Sequence, residues 1–233
     1  MYDTGPKNID NLLREGYATN VSSYLGRGWE IFQQNVGGFV GFVIIIFLIN
    51  VAFTLAGGVL DPAASNPSSE QTPSGISALL SAINSVISIP LNAGFYIVAL
   101  KLVKRRATTF SDFFRGFNYF IPLLLASIVT GIFIVLGFLL LLIPGIYLAV
   151  AYTFTSPLII ERKMDFWQAM ETSRKVVTKQ WFSFLWLGIL VFFINVAGAL
   201  ACGLGLLVTV PLTYCTYVAA YENIFGLQLS SED

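Results

Sequence analysis

The feature that most constrains this chain is where its charges are missing. No Asp, Glu, Lys or Arg occurs in residues 31–60, 71–100, 116–160 or 180–221. A charged side chain at the centre of a membrane-spanning helix costs about 2.5–3.5 kcal/mol, and a span takes about 20 residues. The first two stretches each fit one span. The last two are each too long for one and suit two. The expectation is an all-α, polytopic membrane protein with six transmembrane helices arranged as three hairpins. Composition agrees: 56% of residues are hydrophobic and 11% charged, against about 25% charged in soluble domains.

The division points are visible. In the third stretch it is Pro144-Gly145, since proline suits the second position of a turn and glycine the third. In the fourth it is Cys202-Gly203-Leu204-Gly205, with glycines where a helix stops. The first two spans are parted by a polar outer loop, 61–76, rich in Pro, Ser and Asn. A hairpin turn at Pro144 and Gly145 has a consequence. The helix from Ile146 to Ile160 would be only about 22 Å long at 1.5 Å per residue. A hydrocarbon core is about 30 Å thick, so the turn should lie below the outer surface.

The basic residues then orient the chain. All 13 lysines and arginines fall in three regions. Lys7, Arg14 and Arg27 precede the first span. Lys101, Lys104, Arg105, Arg106 and Arg115 lie between the second and third. Arg162, Lys163, Arg174, Lys175 and Lys179 lie between the fourth and fifth. The opposite connections hold none. This is a positive-inside pattern and places both termini in the cytoplasm. Residues 1–35 form a cytoplasmic N-terminal segment with an interfacial helix, and 226–233 a cytoplasmic tail. No apolar run occurs in the first 35 residues, so no signal peptide is expected. The intervening units are 36–103, 104–162 and 163–225.

Each hairpin is preceded by a short amphipathic segment. The apolar positions are Val21, Tyr24, Leu25, Gly28 and Phe32 in the first. They are Phe110, Phe113, Phe114 and Phe117 in the second, and Phe166, Ala169, Met170, Ser173, Val176 and Val177 in the third. The spacing is helical, with Ser111 and Asp165 as N-caps of the last two. These helices should lie flat in the inner interface. Letters repeat as well: LINVA at 48–52 matches FINVA at 193–197, and Pro90-Leu91, Pro157-Leu158 and Pro211-Leu212 mark the second helix of each hairpin. The chain reads as three parallel repeats about an axis along the membrane normal.

Chemistry is sparse. The chain has no histidine, which removes the commonest general base and metal ligand. No metal-ligand spacing, phosphate loop or nucleophile motif is present, and no charge sits mid-span, where proton relays keep one. No catalytic residue, metal, cofactor or nucleic-acid partner is expected. Two groups of residues stand out. Lys101, Lys104, Arg105, Arg106, Arg115, Arg162 and Lys163 form a basic cluster suited to lipid headgroups, at about 1 kcal/mol each near the surface. Ser81, Asn84, Ser85, Ser88 and Asn92 form one polar stripe on the second helix, suited to interhelical hydrogen bonds or to lining a cavity. Gly37-xxx-Gly41, Ser127-xxx-Gly131 and Ala197-xxx-Ala201-xxx-Gly205 are expected to serve close internal helix packing. An enzyme acting on lipids would need a base from Glu161, Asp165 or Asp112.

The segment IPGIYLAVAYTFTSPLIIERKMDFWQAMETSRKVVTKQW, 143–181, with YLGRGWEIFQQN near the start, resembles a pattern of uncharacterised bacterial six-helix membrane proteins. It is also similar to the membrane domain beside some glycerophosphoryl diester phosphodiesterases. The resemblance rests on Ile143-Pro144-Gly145, Tyr147, Tyr152, Pro157, Glu161, Ala169 and Ser173. It implies the fold and a bacterial inner membrane, and carries no phosphodiesterase residue. The expected function is a non-catalytic accessory, scaffold or lipid-contacting membrane component. Its partners would be membrane lipid and, beyond it, another membrane protein or a second copy. The alternative is a transporter or channel for a neutral or amphipathic small molecule or lipid.

Overall fold

The structure is a computed structural model and describes residues 5–60, 75–201 and 203–228. The expected outer loop 61–76 falls almost wholly outside the described residues, as do Cys202 and the end of the tail. The described residues are helical throughout, with no strand among them. The helices are α1 (Ile9–Glu15), α2 (Val21–Gln33), α3 (Val36–Leu60), α4 (Gly75–Val103), a 310 helix (Phe110–Tyr119), α5 (Phe120–Leu140), α6 (Leu142–Ala151), α7 (Thr155–Arg162), α8 (Phe166–Thr178), α9 (Trp181–Leu200) and α10 (Leu206–Phe225).

Among the described residues five helical stretches are long and apolar enough to cross a membrane: Val36–Leu60, Gly75–Val103, Phe110–Leu140, Leu142–Arg162 and Trp181–Leu200. α10 is 20 residues long but carries Glu222 and is not among them. Its C-terminal half is sunk into the core, with Cys215, Val218, Ala220, Tyr221, Ile224 and Phe225 fully buried.

The helices close in a cycle. α3 pairs with α4, α5 with α6, and α9 with α10. The amphipathic helix before each pair crosses the second helix of the preceding pair. The 310 helix crosses α4, α8 crosses α6 and α7, and α2 crosses α10. Second helices also meet the next pair's first helix: α4 with α5, α6 with α9, α10 with α3. The first helices α3, α5 and α9 turn large apolar side chains outward, among them Phe47, Leu55, Ile132, Phe182 and Phe193.

Small residues set the crossings. A Cβ on Gly28 would stand 2.8 Å from the Thr216 Cα. Gly116 lies against the Pro90 carbonyl, and Gly94 against the Phe113 carbonyl. At the third crossing Ser173, fully buried, donates to Ala151 O (2.8 Å) and accepts from Phe154 N (3.1 Å). It satisfies two backbone groups at the break between α6 and α7.

Several expectations are corrected. The chain reverses at Leu141, which is extended (φ −163°, ψ 153°), and Pro144 and Gly145 stand in the first turn of α6. Proline fits there because an N–H in the first helical turn has no partner anyway. Gly137 and Gly145 let α5 and α6 touch just inside the turn. Starting at Leu142, the α6–α7 stretch of 21 residues is about 30 Å long, so the turn need not lie deep. The 310 helix buries Asp112, Phe113 and Gly116, while Phe110, Phe114 and Phe117 are exposed. With three residues per turn rather than 3.6, an α-helical reading rotates the face. Its cap is Thr109, in a box with Asp112, and Ser111 is not the cap. Asp165 does cap α8, accepting from Trp167 N at 3.1 Å. A Cβ at Gly37 or Gly131 would meet nothing within 4 Å, whereas one at Gly41 would touch the Phe110 ring at 3.7 Å, so of these two patterns Gly41 alone among the glycines faces an internal neighbour. Gly198 and Gly205 do meet across α9 and α10.

Candidate basic pocket at the rim of the bundle

The end of α4, the 310 helix and the end of α7 enclose a pocket of about 180 Å³. α4 supplies Ile97, Leu100, Lys101 and Lys104, and the chain just beyond it supplies Arg106. The 310 helix supplies Arg115, Asn118 and Tyr119, and α7 supplies Ile160 and Glu161. The local backbone explains the convergence. α4 ends in a turn where Arg106 N–H reaches back to Lys101 O at 3.0 Å, with Arg105 left-handed at φ 55°. This turn resembles the usual glycine-ended helix stop. It brings Arg106 to the pocket and leaves Arg105 exposed.

Two carboxylates organise the cations. Asp112, almost fully buried, accepts from Lys101 Nζ at 2.7 Å and from Thr109 N at 2.8 Å, and pairs with Arg115 Nε at 3.0 Å. Glu161 pairs with Lys104 Nζ at 3.2 Å and accepts from Tyr221 O–H at 2.9 Å and Gln228 N at 2.6 Å. Among the described residues Lys101 and Arg115 share Asp112 and Lys104 pairs with Glu161, three cations on two carboxylates, beside apolar Ile97, Leu100 and Ile160. A phosphate oxygen suits such a site, because arginine offers it paired donors.

The predicted basic cluster is therefore brought together in part. Lys101, Lys104, Arg106 and Arg115 share the pocket. Arg162 does not line the pocket: it stays 3.9 Å from Glu161 but donates to Phe225 O (2.6 Å) and Lys7 O (3.1 Å) and lies over the Phe225 ring. There it closes the C-terminal end of α10, a favourable place for a cation. Lys163, left-handed at φ 52°, ends α7. Across the bundle, Arg27 pairs with Glu222 of α10 and Glu30. Burial works against the Arg27 charge, but hydrogen bonds to Glu30 and Glu222 outweigh it and raise its pKa. Glu161 and Asp112 are held by cations, and Asp165 accepts from Trp167 N at the start of α8. Among the described residues no group of His, Cys, Asp or Glu is placed to hold a metal.

The polar stripe of α4 divides. Ser85 and Ser88 bond back to Ser81 O and Asn84 O, and Asn92 accepts from Tyr214 O–H at 2.9 Å. Ser81 and Asn84 line a second recess, between α3 and the outer half of α4. Asn118 and Tyr119 are not legible in the sequence as pocket residues. The one available signal is the echo of Arg27-Gly28-Trp29 in Arg115-Gly116-Phe117, which marks both glycines as crossing points.

Compared with family models, curated proteins and solved structures, the chain finds no match.

Proposed function

We propose that this chain is a non-catalytic, multi-pass membrane protein that holds the phosphate of an anionic phospholipid at its cytoplasmic rim, as an accessory or scaffold component. The observation that carries the reading is the pocket, where cations from α4, its end turn and the 310 helix converge next to apolar walls. Near a membrane surface each such cation is worth about 1 kcal/mol toward anionic lipid.

The same reading counts α10 as a sixth span, which puts both chain ends on one side. Two observations support it. Lys7 N donates to Phe225 O at 2.9 Å and Lys7 Nζ to Asn223 O at 2.7 Å, so the two described ends of the chain lie together. An even number of crossings satisfies that contact. The exposed Trp29 and Trp167 on α2 and α8 suit an aromatic belt at the rim that carries all the lysines and arginines. That rim is the cytoplasmic one, and the membrane is the bacterial inner membrane that the residues of 143–181 imply.

Native mass spectrometry of the full chain with phosphatidylglycerol or phosphatidylcholine tests the proposal. Phosphatidylglycerol should stay bound at energies that strip phosphatidylcholine. Arg106→Gln with Arg115→Gln removes two charges, about 2 kcal/mol, and should cut its retention by about thirtyfold. Equal retention of the two lipids by the wild type overturns the reading. A path for a neutral or amphipathic small molecule is the second reading, favoured by the recess beside Asn84.

A further inference from the structure

The recess between α3 and α4 has a volume of about 300 Å³ and is lined by Phe53, Thr54, Gly57, Gly58, Ser77, Leu80, Ser81 and Asn84. That is the lower end of what small-ligand sites occupy, and far more than one water needs. Its walls are half apolar. Two glycines, Gly57 and Gly58, carry no side chain into it, and a Cβ added at either would meet nothing within 4 Å.

Its polar feature is Asn84. The amide orientation is fixed by a relay. Asn50 Nδ2 donates to Ile46 O at 2.8 Å, which leaves Asn50 Oδ1 to accept from Asn84 Nδ2 at 2.9 Å. Turning the Asn84 amide over would set two oxygens against each other. Asn84 Oδ1 is therefore an acceptor, it is buried, and no donor among the described residues reaches it. A buried acceptor left without a donor costs about 1–3 kcal/mol. The nearby hydroxyl of Thr54 is already committed to Asn50 O at 2.9 Å. Among the described residues no charged side chain lines the recess.

We propose that this recess binds an uncharged amphiphile. Its O–H or N–H donates to Asn84 Oδ1, and its hydrocarbon lies against Phe53 and Leu80. The site stands at the opposite end of α4 from the basic pocket and is independent of it. A charged headgroup belongs at Lys104 and Arg106; a neutral alcohol or amide belongs here.

The test uses the purified full chain and an eight-carbon alcohol carrying a diazirine. Photolysis should place the adduct in 53–58 or 77–84. Octanol should displace it at about a fivefold lower concentration than octyl methyl ether, which cannot donate, the worth of one neutral hydrogen bond. Leu80→Trp, which fills the recess and leaves the Asn50–Asn84 bond in place, should abolish the adduct, as should Asn84→Leu. The proposal is overturned if the ether competes as well as the alcohol. It is also overturned if Leu80→Trp leaves labelling unchanged, or if the adducts fall on 61–74 or on outward residues such as Leu55 and Val59 without competition.

Discussion

Glycine and serine fix how closely the crossing helices approach, and each leaves a measurable trace. Gly28 lies on the backbone at Thr216. Gly28→Val should therefore overpack the α2–α10 crossing and destabilise the protein by about 1–3 kcal/mol. Gly26, two positions away with open space where its Cβ would stand, should accept valine with little change, and thermal unfolding in detergent compares the two. Ser173 fills a different need. Ser173→Ala removes the partner of Phe154 N–H and Ala151 C=O, both buried, and should cost about 1–3 kcal/mol. Hydrogen exchange at Phe154, slow in the wild type, should accelerate in the variant; unchanged protection at that amide contradicts the assignment. These positions are partly legible in the sequence. Gly28 and Ser173 stand at equivalent places in the amphipathic pattern, but only the crossing itself says that one gives space and the other hydrogen bonds.

Among elements, the amphipathic helices are legible where they are α-helical and misleading where they are not. α8 buries Ala169, Met170, Ser173, Val176 and Val177, the face its 3.6-residue period predicts. The segment at 110–119 shows the same apolar spacing but winds as a 310 helix, so its buried face moves to Phe113 and Gly116. The signal that decides the winding is tertiary: Gly94 and Gly116 bring two backbones together, and no local propensity reports that. The hairpin tip lies away from Pro144-Gly145 for a related reason. Pro-Gly signals a turn as well as the first turn of a helix, and the stop at Leu141 has no sequence mark of its own. Docking of the 310 helix depends on Asp112. Asp112→Ala leaves Lys101 and Arg115 without their carboxylate. The expected loss is near the low end of the roughly 3–5 kcal/mol for a broken buried pair, because Arg115 is half exposed and solvent relieves part of it. Glu171→Ala, on the polar face of α8, breaks pairs with Arg174 and Lys175 and should change stability by no more than about 1 kcal/mol. A comparable loss in both variants contradicts the difference in burial.

At the scale of the whole molecule, the chain is a cycle of three helix pairs, each crossed by the amphipathic helix of the next. Its first helices face outward, and α7 and α10 carry the buried Thr155, Glu161, Thr216 and Glu222. The helical class and the apolar stretches follow from the placement of charge alone. The cyclic closure does not, because contacts such as α2 on α10 join residues far apart in the chain; Tyr24 and Asn223, hydrogen-bonded there, are 199 positions apart. The basic pocket is legible as a cluster and illegible as a site. Sequence puts Arg162 and Lys163 with the others, and helix geometry sends them elsewhere. The most direct measurement places a photoreactive benzoylphenylalanine at Asn118, an exposed, uncharged lining residue, and irradiates the full chain in native membranes. The account predicts that the dominant adduct is an anionic phospholipid, and that it disappears with Arg106→Gln and Arg115→Gln. Adducts in proportion to bulk lipid, or unchanged by those substitutions, contradict it.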